Sequence, residues 1–168
     1  LKARLKSIWT AGDYDRFSRF MEGGAREFYE RLNIAPGSKL LDVACGSGQL
    51  ALMAAKDGIQ VTGVDIAGHL VERARARAEA EGLSAHFEEA DAEALPFEAD
   101  SFDVALSTFG VMFTPDQERA AAELLRVLFS ADELSILRGL AGHEPSKAND
   151  VLDRILAPFQ QRHHRIRR

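Results

Sequence analysis

The run Lys39 to Gly48, KLLDVACGSG, constrains this chain more than any other segment. A short apolar stretch passes straight into two glycines one residue apart, and a helical pattern from Leu50 to Asp57 follows. Glycines at the end of a buried strand allow a tight turn and let a ligand approach the backbone. The alternation continues downstream. Ile59 to Val64 reads as a second strand, and residues 67–81 as a helix stopped by Gly82. Ala85 to Glu88 is a weak third strand and Phe102 to Ser107 a fourth. Thr114-Pro115-Asp116-Gln117 reads as a capping box opening a further helix that carries Leu124 and Leu128. Strands alternating with helices predict an α/β fold with a doubly wound parallel sheet covered on both faces. Such sheets bind ligands beyond the carboxyl ends of their strands, where strand order reverses.

The rest of the chain is helical in pattern. Residues 13–33 carry Phe17, Phe20, Phe28 and Leu32 as partial stripes broken at Gly23-Gly24. After Val127, the segment Leu128 to Arg168 reads as helix, turn, helix, with a capping box at Ser130-Ala131-Asp132-Glu133. The expected division is an N-terminal helical segment over 1–37, a ligand-binding Rossmann-like domain over 38–127 and a helical tail over 128–168. A chain of 168 residues buries enough surface to fold without staples. Its single cysteine excludes an intramolecular disulfide and a cysteine-based zinc site, and no metal is expected. The net charge of −5 argues against a nucleic-acid backbone as partner. No apolar stretch approaches the ~20 residues that span a bilayer. A cytoplasmic location is the default expectation.

Three acids give the glycine turn its chemical meaning. Gly46-Ser47-Gly48-Gln49-Leu50-Ala51 fits the dinucleotide pattern G-x-G-x-x-[GA], which alone is weak and also fits a plain strand-to-helix turn. Asp65 ends the second strand, 19 residues after Gly46, at the spacing where an acid accepts hydrogen bonds from a ribose diol. Asp42 lies just before the glycines. A nicotinamide cofactor would place its pyrophosphate there, against that carboxylate. S-adenosylmethionine has no phosphate and presents an ammonium and a sulfonium instead, so Asp42 suits it. Asp91-Ala92, after the third strand, could accept an adenine amine. Ser107 ends the fourth strand beside the first strand's loop.

With these residues in place, LLDVACGSGQLAL, VTGVDIAGHLVERARARA and FEEADAEALPFEADSFDVALS resemble the class I S-adenosylmethionine-dependent methyltransferases. The likeness is to the small-molecule branch similar to ubiquinone/menaquinone-biosynthesis methyltransferases and covers about residues 10–127. It implies a methyl group transferred from S-adenosylmethionine to a small-molecule acceptor. It implies that Asp42, Ala44, Gly46 and Gly48 surround the methionyl moiety. Asp65 would take the ribose hydroxyls, with Ile66 and Leu70 packing on the adenine. Asp91 and Ala92 would meet the adenine amine and ring, and Ser107 would offer backbone contact near the methionyl group. Tyr14-Asp15-Arg16-Phe17 looks like the family's lid, with Tyr14 and Phe17 over the cofactor.

Two departures qualify the resemblance. Ala44 stands where the family usually has glycine. The family's Pro-Gly-Gly turn and fifth strand are absent after Val127, so the expected sheet stops after the fourth strand. That strand is then an open edge, to be covered by the tail helices or by a second copy of the chain in a homodimer. A frame-shifted end is a further reading of the tail. No catalytic residue is assigned, since His69, His86 and His143 are isolated in the sequence. The alternatives to a working methyltransferase are a catalytically inactive S-adenosylmethionine-binding remnant and an NAD(P)-binding module.

Overall fold

The computed structural model describes residues 2–11 and 14–130. Residues up to Leu128 belong to one compact unit. The tail expected over 128–168, including the capping box that begins at Ser130, lies outside the described residues from position 131 onward.

Four parallel strands form one sheet in the order β3-β2-β1-β4. They are β1 (Lys39–Val43), β2 (Gln60–Asp65), β3 (Ala85–Glu89) and β4 (Val104–Leu106). Three helices precede β1: α1 (Lys2–Ala11), α2 (Tyr14–Ser18) and α3 (Glu22–Leu32). The crossovers run through α4 (Gln49–Lys56) and α5 (Gly68–Ala80), and α6 (Gln117–Leu128) follows β4. β1 pairs with β2 on one side and with β4 on the other, and Asp42 stands opposite both Gly63 and Leu106. Strand order therefore reverses at β1, which places the switch point over its carboxyl end.

Alternation along β1 divides its side chains between two cores, as the period of two requires. Leu40 packs with Leu50, Ala51, Val71, Ala74 and Phe87 beneath α4 and α5. Leu41 and Val43 pack with Val64, Leu95 and Val127 on the α6 side. Asp42 shares the parity of Leu40, so its carboxylate faces the α4 side with 2% exposure. Arg126 ties the loop before β4 to α6, donating to the Leu95 and Phe97 carbonyls at 3.0 and 2.6 Å.

Several boundaries differ from the sequence reading. The span 13–33 divides at the 3-10 turn Arg19–Met21, and Gly23-Gly24 lie inside α3. Phe17, Phe20, Phe28 and Leu32 are exposed, whereas Tyr29 is the buried aromatic of α3 and donates to Asp57 Oδ2 at 2.8 Å. β4 is confined to three residues, so Ser107 lies just past its end. Helix α6 opens at Gln117, and its cap is Asp116, whose Oδ1 accepts from the Arg119 amide at 2.9 Å. Thr114 instead donates to the Val111 carbonyl. Among the described residues no helix is long and apolar enough to cross a membrane.

Candidate functional site

The turn between β1 and α4 is held from three directions. Its backbone is left-handed at Ala44, Gly46 and Gly48, with φ of 60°, 57° and 81°. Asp65, at the end of β2, accepts from the Gly46 amide at 2.9 Å through Oδ2 and from the Ala67 amide at 2.8 Å through Oδ1. Arg77 of α5 donates to the Ser47 carbonyl at 2.8 Å. From the third side, Ser47 Oγ donates to Asp15 Oδ1 of α2. A side chain at Gly48 would be strained, since a Cβ would lie 3.2 Å from both Ala74 and Phe87 on a left-handed backbone.

A cleft of about 860 Å³, open mouth included, lies over the carboxyl ends of the strands. Ala44, Asp65, Ile66, Leu70, Asp91 and Ala92 all line it. Asp42 and Ala44 line an adjoining cavity beside Cys45, Gln49 and Leu50, and the two spaces share Tyr14, Thr108 and Phe109. Eight of the ten residues singled out from the sequence thus sit in these cavity walls or, as Gly46 does, directly beneath them. A Cβ on Gly46 would come within 3.3 Å of the Tyr14 ring, so the turn lies just under α2. Gly48 packs behind the turn. Ser107 is outside both linings, and its Oγ accepts from the Val111 amide at 3.2 Å.

The electrostatics of the site follow from burial. Desolvation raises the Asp42 carboxyl to about 7, the neighbouring Asp65 adds to the rise, and the Ala51 N–H opposes it. Asp65 is also raised by burial, against the pull of the Ala67 and Gly46 amides. Burial pushes the Cys45 thiol well up, with Asp42 and Asp65 contributing. Cys45 is therefore a packing residue and not a thiolate nucleophile.

The N-terminal helices supply residues that sequence reasoning missed. Lys2 of α1 reaches into the cleft and bridges Asp91 Oδ2 at 2.7 Å and Glu93 Oε2 at 2.5 Å. Trp9 packs edge-on against Tyr14, with centroids 5.7 Å apart, and lies 5.2 Å from Phe113. Tyr14 lines the cleft, whereas Phe17 points to solvent with 57% exposure. Asp15 is 6% exposed and meets Arg19 at 3.1 Å and Arg73 at 3.3 Å besides Ser47. Its Ser47 hydrogen bond and the two guanidinium groups hold its carboxyl low against a desolvation that opposes them. The sequence marks Asp15 only as an acid within the Tyr14-Asp15-Arg16-Phe17 stretch, and nothing in it points to Ser47 as a partner. His69 opens α5 with both ring nitrogens buried and without a hydrogen-bond partner among the described residues. The residue as a whole is half-buried, at the amino end of α5. Among the described residues no cluster of His, Cys, Asp and Glu could hold a metal.

The sequence profile of a methyltransferase domain matches residues 40–130. The chain belongs to the methyltransferase domain family. The match starts in β1 and ends just after α6, so it covers the whole described sheet. An uncharacterised protein of Mycobacterium tuberculosis is 42% identical over 128 residues, which are 76% of this chain and 47% of that one. The demethylmenaquinone methyltransferase of Thermus thermophilus is 40% identical over 132 residues, 74% of this chain and 60% of that one. Among solved structures, the cyclase SpnF superposes with a TM-score of 0.61 at 35% identity, over 64% of this chain and 40% of that one. This methyltransferase domain spans about half the length of the curated relatives it matches.

Proposed function

We propose that this domain binds S-adenosylmethionine in the cleft over β1 and β2 and transfers its methyl group to a small-molecule acceptor. The observation that carries the reading is the Asp65 carboxylate. It ends β2 inside the cleft, and two backbone amides fix its orientation at no further cost on binding. Each carboxylate oxygen keeps lone-pair capacity for a ribose hydroxyl.

The residues fit the cofactor. The cleft wall is mostly apolar, with Asp65 and Asp91 among its few polar groups, as ligand sites are. Asp65 would take the ribose, with Ile66 and Leu70 against the adenine and Asp91 and Ala92 at its edge. Asp42, Ala44 and Gly46 would surround the methionyl end, and Ser107 and Gly48 would support that end through backbone alone. Two buried carboxylates beside the glycine turn disfavour a pyrophosphate and favour a cation. That is the argument against a nicotinamide cofactor. When bound, S-adenosylmethionine supplies a methyl carbon activated for in-line displacement. The chain's own contribution is orientation and exclusion of water, with Tyr14 and Trp9 covering the cleft. Its carboxylates are engaged already: Asp65 with backbone amides, Asp91 and Glu93 with Lys2. No residue is assigned as general base, and an acceptor that is itself nucleophilic fits such a site.

A small-molecule acceptor is supported by the likeness to a demethylmenaquinone methyltransferase. The likeness to a cyclase favours a second reading, in which the cofactor is bound and no methyl is transferred. Conversion of S-adenosylmethionine to S-adenosylhomocysteine above a no-acceptor control, across a panel of small acceptors, selects the first reading. A cytoplasmic location, the absence of a nucleic-acid partner and a homodimer through the β4 edge complete the proposal. The acidic net charge supports the second, and the position of β4 at one side of the described sheet supports the third. Sedimentation at two concentrations tests the dimer.

Replacing Asp65 by Asn tests the site. It keeps one acceptor for the turn and removes the charge. Affinity for S-adenosylhomocysteine is expected to fall by about tenfold or more, the equivalent of one charge-assisted hydrogen bond. A folded Asp65→Asn variant that binds as tightly as the parent would contradict the assignment.

A further inference from the structure

Helix α2 is amphipathic the wrong way round. Its five residues bury the polar Asp15 and Ser18 and leave Phe17 exposed to solvent. Apart from the Tyr14 ring, which packs on Trp9, the helix is held over the site by hydrogen bonds and ion pairs. Water can take the place of each such bond when it breaks, which keeps its net contribution small beside its strength in isolation. A segment fastened in this way opens more readily than one packed into a core.

The fastening converges on one residue of the glycine turn. Ser47 Oγ donates to Asp15 Oδ1. Gln49 donates to Ser47 Oγ at 3.1 Å and also to Ser18 Oγ, while Ser18 itself donates to the Asp15 carbonyl at 2.8 Å. The other Asp15 oxygen meets Arg19 and Arg73, the latter on α5. Ser47 is fully buried, and the amide of its neighbour Gly46 is bonded to Asp65. One peptide link thus separates the residue that holds the lid from the residue that orients the proposed ribose acceptor. The Tyr14 ring, next to Asp15, lies over Gly46 itself.

We infer that Asp15 is a positioning residue, a latch that closes α2 and Tyr14 over the glycine turn through Ser47 and thereby sets how long the ligand stays bound. The residence-time part of this inference rests on the cofactor reading above. The closure part does not. Opening requires the Asp15–Ser47 bond to break, and breaking it uncovers Gly46 and frees the turn that Asp65 grips. Asp15 touches no reacting atom in this scheme.

The chain contains a single tryptophan, Trp9, which packs on Tyr14, so its fluorescence reports the lid. The experiment compares the full chain with Asp15→Asn, Asp15→Ala and Ser47→Ala. Acrylamide quenching of Trp9 is measured without ligand, and the dissociation and association rates of S-adenosylhomocysteine are measured by stopped flow. The latch predicts greater quenching in all three variants. It also predicts a dissociation rate raised about tenfold in Asp15→Ala, with association changed far less, as for most contacts that act after encounter. A merely structural role would lower the melting temperature and leave both rates alone, and that result overturns the inference. Should Asp15→Ala not fold, the milder Asp15→Asn and Ser47→Ala carry the test. If the parent chain is folded and binds no S-adenosylhomocysteine, the cofactor reading fails. Closure is then decided by Trp9 alone, and quenching equal in parent and variants overturns it.

Discussion

At the scale of single residues, the site is shaped by where side chains are absent. Ala44 adopts φ 60°, a left-handed conformation that costs an L-residue about 1–2 kcal/mol. Its methyl group is accommodated because residue 110 is glycine. A Cβ there would lie 1.9 Å from the Ala44 Cβ. Gly110→Ala is therefore expected to lower stability by about 1–3 kcal/mol, and Ala44→Gly in the same chain to recover part of the loss. Urea denaturation of the two single variants and the double variant measures the coupling, and simple additivity would contradict the pairing. Gly63 makes a similar case within β2, where a Cβ would stand 2.6 Å from Phe87 and 3.0 Å from the Cys45 sulfur. Gly63→Ala should lower the melting temperature, whereas Gly82→Ala meets nothing and bears only its backbone strain. The sequence showed Ala44 as a departure from the family pattern. It could not show Gly110 as the partner, because the two meet only across the β1–β4 switch point.

At the scale of elements, legibility followed burial. The β1–turn–α4–β2–α5 unit was readable since every strand residue after Lys39 in β1 is buried and glycines punctuate both helix ends. Helix α1 was not, for it buries no residue and acts through the long side chains of Lys2 and Trp9. Helix α2 was readable as part of the helical span 13–33, but its buried face was not, because its polar residues face inward. Lys2 yields a prediction at this scale. Its ammonium occupies an oxygen of Asp91, the residue expected to meet the adenine amine. Lys2→Gln frees that oxygen and removes a positive charge from a site meant for a cationic ligand. Affinity for S-adenosylmethionine should rise by a few-fold at low salt, and the gain should shrink at high salt. Titrations at two ionic strengths check this, and a weaker complex for Lys2→Gln would show that α1 assists binding instead.

At the scale of the whole molecule, the site works against stability. Asp42 is raised to about 7 in the folded chain, from about 4 when unfolded. Between those values the folded state holds a proton that the unfolded state has lost. Stability is then full below about pH 4 as far as Asp42 is concerned, and falls as pH rises toward 7, by about 4 kcal/mol at most. Asp65, raised as well, pulls in the same direction. Denaturation at pH 5 and pH 8 should show the chain more stable at pH 5, and Asp42→Asn should flatten the difference. A parent chain more stable at pH 8 would contradict the buried-acid account. The ionised form that costs stability is the one that attracts a cation, so its cost is offset only if a ligand uses the charge. Whether it does is settled most directly by calorimetric titration of the full chain with S-adenosylhomocysteine and, separately, with NADH. The account predicts one micromolar site per chain for S-adenosylhomocysteine and much weaker binding of NADH. A folded chain that binds neither, or binds NADH more tightly, would contradict it.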